Sequence, residues 1–173
     1  LEVIDSRAVS VATGLIVRHL CEAVEAGASA REITELGHSL VERVRLIVAV
    51  PTMDFLIKGG RLNPRIGRLI GRLGLVALIK LNRAGEAKPF SAALTMKGGV
   101  RRLIRRAIRT LPSNAPADFA IAHVRNRETA EHIRERLSEH VRPRAEAFVL
   151  DAAPVLATHT GFGTVAIAYI APE

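Results

Sequence analysis

Residues 156–170, LATHTGFGTVAIAYI, place a histidine and two glycines directly before a run of β-branched, aromatic and small residues. The run from Val165 to Ile170 favours a β-strand. The glycines formally match the G-x-G-x-x-A pattern of dinucleotide-binding loops, but that pattern needs a helix to follow, because the helix N-terminus receives the phosphate. Since a strand follows here, the sequence argues against a nucleotide site at this position.

The segments that precede this strand alternate between helical and extended patterns. Helices are predicted in residues 9–26, 29–44 (opened by a Ser29–Glu32 capping box), 52–59, 63–74, 100–111 and after Asn126. Strands are predicted in residues 1–6, 46–50, 75–81, 89–95, 118–124 and 145–150. This alternation predicts an α/β fold with a mixed sheet and flanking helices.

The composition limits the class of protein. The chain has 173 residues and is 49% hydrophobic, with no Trp, one Tyr and five Phe, so its core is mostly aliphatic. Cys21 is the only cysteine, which excludes an internal disulfide and a cysteine-based metal site. No apolar stretch approaches the roughly 20 residues of a membrane-spanning helix, and the N-terminus lacks the pattern of a secretory signal. We therefore expect a cytoplasmic protein with at most peripheral membrane contact.

The net charge of +8 arises from one segment. Residues 61–110 carry 13 Lys/Arg against one acidic residue, Glu86, whereas the flanking segments are each slightly acidic. Such a segment suggests a nucleic acid, an anionic membrane, an acidic protein or an anionic small molecule as partner, or simply a solvated face. A nucleic-acid partner is the weaker hypothesis, because Phe90 is the only Phe, Tyr or Trp in residues 61–110 that could stack on a base.

No familiar catalytic motif is present. The chain lacks a G-x-S-x-G elbow, an H-E-x-x-H motif, a P-loop and histidines or cysteines at zinc-ligand spacing. His159, in what we interpret as a glycine-containing turn, could donate a hydrogen bond to a carboxylate or phosphate, or could cap nearby backbone. Lys58-Gly59-Gly60-Arg61 could form a backbone nest for an anion, or an ordinary helix C-cap. We expect neither a metal nor a cofactor.

Four blocks in order carry a resemblance to a known family: VIDSRAVSVATGLIV (3–17), FLIKGGRLNPRIGRLIGRLGLVALIKLN (55–82), KPFSAALTMKGGVRRLI (88–104) and PVLATHTGFGTVAIAY (154–169). Together they resemble the DegV family of fatty-acid-binding proteins, over essentially the whole chain. The resemblance implies that residues 1–45 are the remnant of an α/β N-terminal domain and that residues 46–173 are the lipid-binding C-terminal domain. It also implies that the chain is a C-terminal segment that lacks the Ser/Thr loops of the family's carboxylate site.

The resemblance further implies a function. DegV proteins bury a long-chain fatty acid and present its carboxylate to a kinase domain of the dihydroxyacetone-kinase type, which forms the acyl phosphate. The protein itself is then a carrier and not an enzyme. The alternative is a basic module that binds nucleic acid or another protein.

The family motifs transfer to named positions. The H-T-G-x-G motif and the K-G-G-R motif imply a ligand-binding set of Gly60, Arg61, His159, Thr160, Gly161 and Gly163. Phe162 stands where the family often has proline. Exposed arginines beside the expected ligand mouth are predicted to dock the kinase, namely Arg61, Arg65 and Arg68.

Overall fold

A computed structural model describes residues 1–60, 72–112 and 115–172. Within these ranges the strands are β1 Val44–Val50, β2 Val76–Leu81, β3 Ala87–Ala93, β4 Phe119–His123, β5 Val149–Asp151 and β6 Val165–Ile170. The helices are α1 Val11–Glu25, α2 Ala30–Arg43, α3 Asp54–Lys58, α4 Met96–Thr110, α5 Arg127–Ser138 and α6 Pro154–Thr160. The predicted α/β fold with a mixed sheet is confirmed.

The strands form one sheet in the order β3-β2-β1-β6-β4-β5. Strand β6 pairs antiparallel with β1 on one side and with β4 on the other, and β5 pairs with β4 in parallel. All six residues of β6 are buried, because it has a strand on either side and helices above and below. This position explains why VAIAYI shows no alternation of polar and apolar residues.

The two faces of the sheet are covered by different helices. On one face, the α4/α5 face, Ile47 and Ala49 of β1 pack beneath α4 and α5. On the other, the α1/α3 face, Leu46 and Val48 point the opposite way, as the alternation of a strand requires. Helices α1 and α2 cover the part of that face over β6 and β4, and α3 lies over the ends of β1 and β2.

Helix α4 is the predicted amphipathic helix. Thr95 precedes it and accepts a hydrogen bond from the Gly98 amide at 3.1 Å, which satisfies one free donor of the first turn. Gly99 lies so close to β2 that an added Cβ would stand 3.2 Å from the Val76 side chain. The buried stripe faces the sheet, and the opposite side carries exposed arginines: Arg101, Arg102, Arg105, Arg106 and Arg109.

A buried carboxylate ties α1 to the sheet. Asp118 is only 4% exposed and binds Arg18 and Arg144, with the His19 Nε2 atom 3.0 Å from its Oδ2 atom. Burial raises the pKa of Asp118, but the hydrogen bonds of His19 and Arg144 and the positive charges of both arginines outweigh it and lower the pKa to about 2. Asp118 is therefore ionised at neutral pH.

Several local predictions are corrected or confirmed. Residues 1–6 are not a strand: they pass over α2, where Ile4 packs on Gly37, and Arg7 follows with a φ of 47°. The Ser29–Glu32 capping box at the start of α2 is confirmed. Asn126 precedes α5, but its side chain does not cap the helix. The side-chain amide donates instead to the Gly163 carbonyl at 2.8 Å. The helix predicted in residues 63–74 lies almost entirely outside the described residues.

Candidate functional site

A large groove opens on the α1/α3 face, between α3, α6 and the sheet. Its volume is about 970 Å³, at the upper end of the 300–1,000 Å³ that is common for ligand pockets. The floor is aliphatic and comes from β1 and β2: Leu46, Val48, Val50, Ile79 and Leu81. The walls are Leu56 and Ile57 of α3, Val155 and Leu156 of α6, Val9, and the β2–β3 hairpin. We call this the aliphatic groove.

One end of the aliphatic groove is polar because of α6. The sequence pattern predicted a glycine-containing turn at His159, and that prediction is wrong: His159 lies in the last turn of a helix. Pro154 opens this helix in its first turn, where a proline loses no hydrogen bond. The helix ends at Gly161, whose φ of 79° few other residues adopt. Both His159 and Thr160 consequently line the groove.

The ring of His159 packs on the backbone of α3. A Cβ added to Gly59 would lie 2.5 Å from the His159 Nδ1 atom, so the ring needs a glycine at this position. The Nδ1 atom is buried and has no hydrogen-bond partner among the described residues. An unpaired buried polar atom costs about 1–3 kcal/mol. Because Nδ1 faces Gly59, a ligand in the groove would meet the remainder of the imidazole ring.

Thr160 is already engaged. Its hydroxyl donates to the Leu156 carbonyl at 2.9 Å, and its own carbonyl accepts from the Thr164 hydroxyl at 2.9 Å. A hydroxyl has a single hydrogen. Thr160 can therefore donate to a ligand carboxylate only if it gives up its helical hydrogen bond, whereas His159 has no such bond to lose.

The two glycines of the H-T-G-x-G motif shape the site from behind. A Cβ on Gly161 would meet the Phe55 ring at 2.7 Å, and one on Gly163 would meet Pro51 at 3.3 Å. Neither glycine is among the residues that line the groove in the described part of the chain. Gly161 lets the end of α6 approach Phe55 of α3 closely, and Gly163 lets the chain before β6 approach Pro51.

Gly60 lines the groove at the end of α3, with a φ of 70°. The amides of Gly59 and Gly60 donate to the carbonyls of Phe55 and Ile57 at 2.9 and 3.0 Å. These bonds are the ones expected of a helix C-cap, and they leave neither amide available for an anion nest. Three of the predicted ligand or docking residues lie outside the described residues: Arg61, Arg65 and Arg68.

The structure adds residues that the sequence did not indicate. His123 is only 5% exposed. Its Nδ1 atom accepts a hydrogen bond from the backbone amide of Asn126 at 3.4 Å and lies 3.4 Å from the Oδ1 atom of Asp151. It lines a small adjoining cavity of about 60 Å³ together with Leu156 and Thr160. The only feature of the sequence that could have indicated His123 is its position at the end of a buried strand.

The opposite end of the aliphatic groove is also polar. Glu86 and Lys88 of the β2–β3 hairpin line it and form an ion pair of 3.1 Å. Gly85, at the tip of the hairpin, lies against the Arg7 carbonyl, since an added Cβ would stand 3.1 Å from that oxygen. The aliphatic floor therefore lies between two polar ends.

Comparison with known proteins identifies the chain. A sequence profile described as "Uncharacterised protein, DegV family" matches residues 1–172. The chain belongs to the DegV family. A DegV domain-containing protein of Staphylococcus aureus (strain MRSA252) is 28% identical over an alignment of 171 residues that covers 95% of this chain and 58% of the relative. The chain thus spans less than two thirds of the length of this DegV relative.

Solved DegV structures share the fold. The Fatty Acid Kinase (Fak) B3 protein of Streptococcus pneumoniae, loaded with linoleic acid, superposes with a TM-score of 0.88 at 22% identity, over 99% of this chain and 60% of that protein. A DegV family protein from Eubacterium eligens, loaded with heptadecanoic acid, gives a TM-score of 0.87 at 17% identity, over 99% of this chain and 61% of that protein.

None of the described helices of this chain is long and apolar enough to cross a membrane.

Proposed function

We propose that the protein is a fatty-acid carrier that holds an acyl chain in the aliphatic groove with the carboxylate at His159. The observation that carries this proposal is an aliphatic groove of about 970 Å³ with His159 and Thr160 lining one end. An acyl chain needs aliphatic walls and few polar groups, and a carboxylate needs a hydrogen-bond donor. The fatty acids bound to the S. pneumoniae and E. eligens relatives support the same ligand class.

The two ends of the ligand have different roles in this proposal. Burying the tail contributes about 0.8 kcal/mol per methylene, so the acyl chain supplies most of the affinity. His159 adds about one hydrogen bond and fixes which end of the ligand lies at α6. Thr160 is the second donor, after its hydroxyl turns away from Leu156.

The carrier would present the carboxylate to a kinase of the dihydroxyacetone-kinase type, which phosphorylates it in the cytoplasm. The protein would bind and orient the substrate without catalysing the transfer. Similarity to a protein of a fatty acid kinase system supports this step. Arg61, Arg65 and Arg68, which follow α3 in the sequence, are proposed to dock the kinase, with Arg61 also beside the ligand.

The ligand is tested by extracting the purified protein and analysing the extract by mass spectrometry. We expect a long-chain fatty acid in stoichiometric amount. Val48→Phe fills the floor of the groove and should abolish retention, whereas Val17→Phe, on the exposed side of α1, should retain the ligand. Equal fatty-acid content in the two variants would show that the tail lies elsewhere.

The kinase step is tested by adding the kinase, ATP and a fatty acid and measuring acyl phosphate. Arg65→Ala with Arg68→Ala should reduce acyl phosphate while fatty-acid binding persists, because neither arginine belongs to the proposed ligand-binding set. Unchanged formation of acyl phosphate in this double variant would refute the docking role of these arginines.

A further inference from the structure

A second groove, of about 750 Å³, runs between α4 and α5 on the other side of the sheet from the aliphatic groove. Its floor is apolar and is formed by Met96, Val100, Ile104 and Ile108 of α4. Val100 and Ile104 belong to the core beneath, while Met96 and Ile108 are only partly buried against it. The floor is therefore continuous with the core.

Both rims of this groove carry cations or imidazoles at intervals of four residues. The α4 rim has Lys97, Arg101 and Arg105. The α5 rim has His132 and Arg136, followed by His140 just beyond the end of the helix, and Arg136 is paired with Glu139. Residues four apart on a helix lie on the same side, so each set forms a row along the groove. Glu128 is the one acidic residue among the described residues that line it. We call this the basic groove.

The cations of the α4 rim have no carboxylate partner in the described part of the chain. Two exposed arginines elsewhere are paired within their own helices, Arg31 with Glu35 at 2.8 Å and Arg127 with Glu131 at 3.4 Å. Like charges four residues apart on a helix destabilise it. The α4 rim thus retains repulsion that an acidic partner would relieve.

We propose that the basic groove binds an acidic amphipathic helix of a partner protein. Such a helix would place apolar side chains on the floor and carboxylates against both rims. A flat membrane surface would contact the rims but could not reach the concave floor. A nucleic acid would likewise pair with the rims and leave the apolar floor uncovered, and no Phe, Tyr or Trp among the described residues lines the groove for a base to stack on.

The length of the groove fixes the length of the partner segment. The floor extends from Met96 to Ile108, about 18 Å at 1.5 Å per helical residue. A partner helix of about 12 residues covers it. Three or four apolar residues at spacings of three and four should face the floor, with Asp or Glu on both flanks.

This inference goes beyond the proposed carrier function and does not depend on it. The aliphatic groove lies on the α1/α3 face and the basic groove on the α4/α5 face, with the sheet between them. A partner helix in the basic groove leaves the ligand groove open. Binding of the two partners should therefore be independent.

The test is a selection from a displayed library of random 16-residue peptides, with the 173-residue chain as the target. We expect the enriched peptides to be acidic and amphipathic, with the spacing given above. Arg101→Gln with Arg105→Gln should weaken their binding at least tenfold, and Ile108→Gln should do the same. The matched control, Arg31→Gln with Arg83→Gln, removes two exposed charges elsewhere and should leave binding within twofold.

Three results would overturn the proposal. The first is enrichment of peptides without net negative charge. The second is equal binding to the Arg101/Arg105 variant and to its control. The third is that phosphatidylglycerol vesicles or a single-stranded oligonucleotide bind the groove, with loss in the Arg101/Arg105 variant and none in Ile108→Gln. His159→Ala, which affects only the ligand groove, should leave peptide binding unchanged.

Discussion

The two halves of the α1/α3 face differ in how they are covered. Helix α1, of 15 residues, buries Leu15 completely against the sheet and is fixed there by Asp118. Helix α6, of seven residues, buries none of its own residues, and its Val155 is 63% exposed. One half of the face is thus a packed layer, and the other is a space bounded by short helices.

This difference separates stability from binding. Side chains between α1 and the sheet are removed from water on folding and stabilise the protein. Some of those around the aliphatic groove stay partly exposed, among them Val48, Ile57 and Leu156, so their further burial becomes available when an acyl chain binds. Substitutions in the two halves should therefore change different measurements, and the following predictions test that separation.

The largest expected effect is on stability, in the packed half. Leu15→Ala should lower the free energy of unfolding by about 3 kcal/mol, because it leaves a cavity in a filled core. Leu156→Ala, in the groove wall, should lower it by less than about 1 kcal/mol. Urea denaturation of both variants measures the difference. Equal losses would mean that α6 is packed as firmly as α1.

The next effect concerns the contact between α6 and α3. Gly161→Ala should destabilise the protein by about 2 kcal/mol, since it adds strain at a positive φ and a contact with Phe55. Gly27→Ala is the matched control, because Gly27 has a φ of 83° with open space around it. Its cost should be about 1 kcal/mol. If the two costs are the same, the Phe55 contact contributes nothing.

Acid should weaken the packed half through Asp118. The folded pKa of about 2 lies below the ordinary value of 3.8, so this carboxylate stabilises the fold above about pH 4. The contribution, about 2 kcal/mol at 1.36 kcal/mol per pKa unit, is lost as the pH falls from about 4 to 2. Asp118→Asn should flatten the pH dependence of unfolding there, and the exposed Asp5→Asn should not. The same slope in both variants would contradict this assignment.

The smallest expected effect is on binding. His159→Ala should raise the dissociation constant of a long-chain fatty acid about tenfold, the equivalent of one hydrogen bond. It should change the free energy of unfolding by less than about 1 kcal/mol, because the loss of the ring's packing on Gly59 and the removal of an unpaired buried nitrogen act in opposite directions. Titration with a fatty acid measures the first and urea denaturation the second. His38→Ala, on exposed α2, serves as control, and equal affinity in both variants would remove His159 from the site.

Much of the fold could be predicted because its elements have clear local signals. The capping box at Ser29, the apolar stripe of α4 and the aliphatic run of β6 each reflect one helix or strand. The strand predicted in residues 1–6 was wrong because an extended sequence pattern does not indicate whether a second strand lies beside it to pair with. The same limit applied to Asn126, whose hydrogen bond goes to Gly163, 37 residues away.

The candidate site was only partly predictable for the same reason. His159 and Gly60 carry a motif, but the aliphatic floor comes from alternate residues of β1 and β2, which look like any buried strand. The proximity of Gly59 to the His159 ring depends on how α3 and α6 pack, and no local pattern encodes that. His123 was missed because an isolated histidine in a buried strand has no spacing to interpret.

The position of β6 has a consequence for how the protein is made. β6 follows the other five described strands in the sequence, yet it lies between β1 and β4 and joins Val44–Ala49 to residues 165–170. A nascent chain that has left the ribosome only as far as α6 therefore contains two separate half-sheets, β1–β2–β3 and β4–β5, each with an unpaired edge. Both edges remain open to association with other chains until β6 emerges and closes the gap.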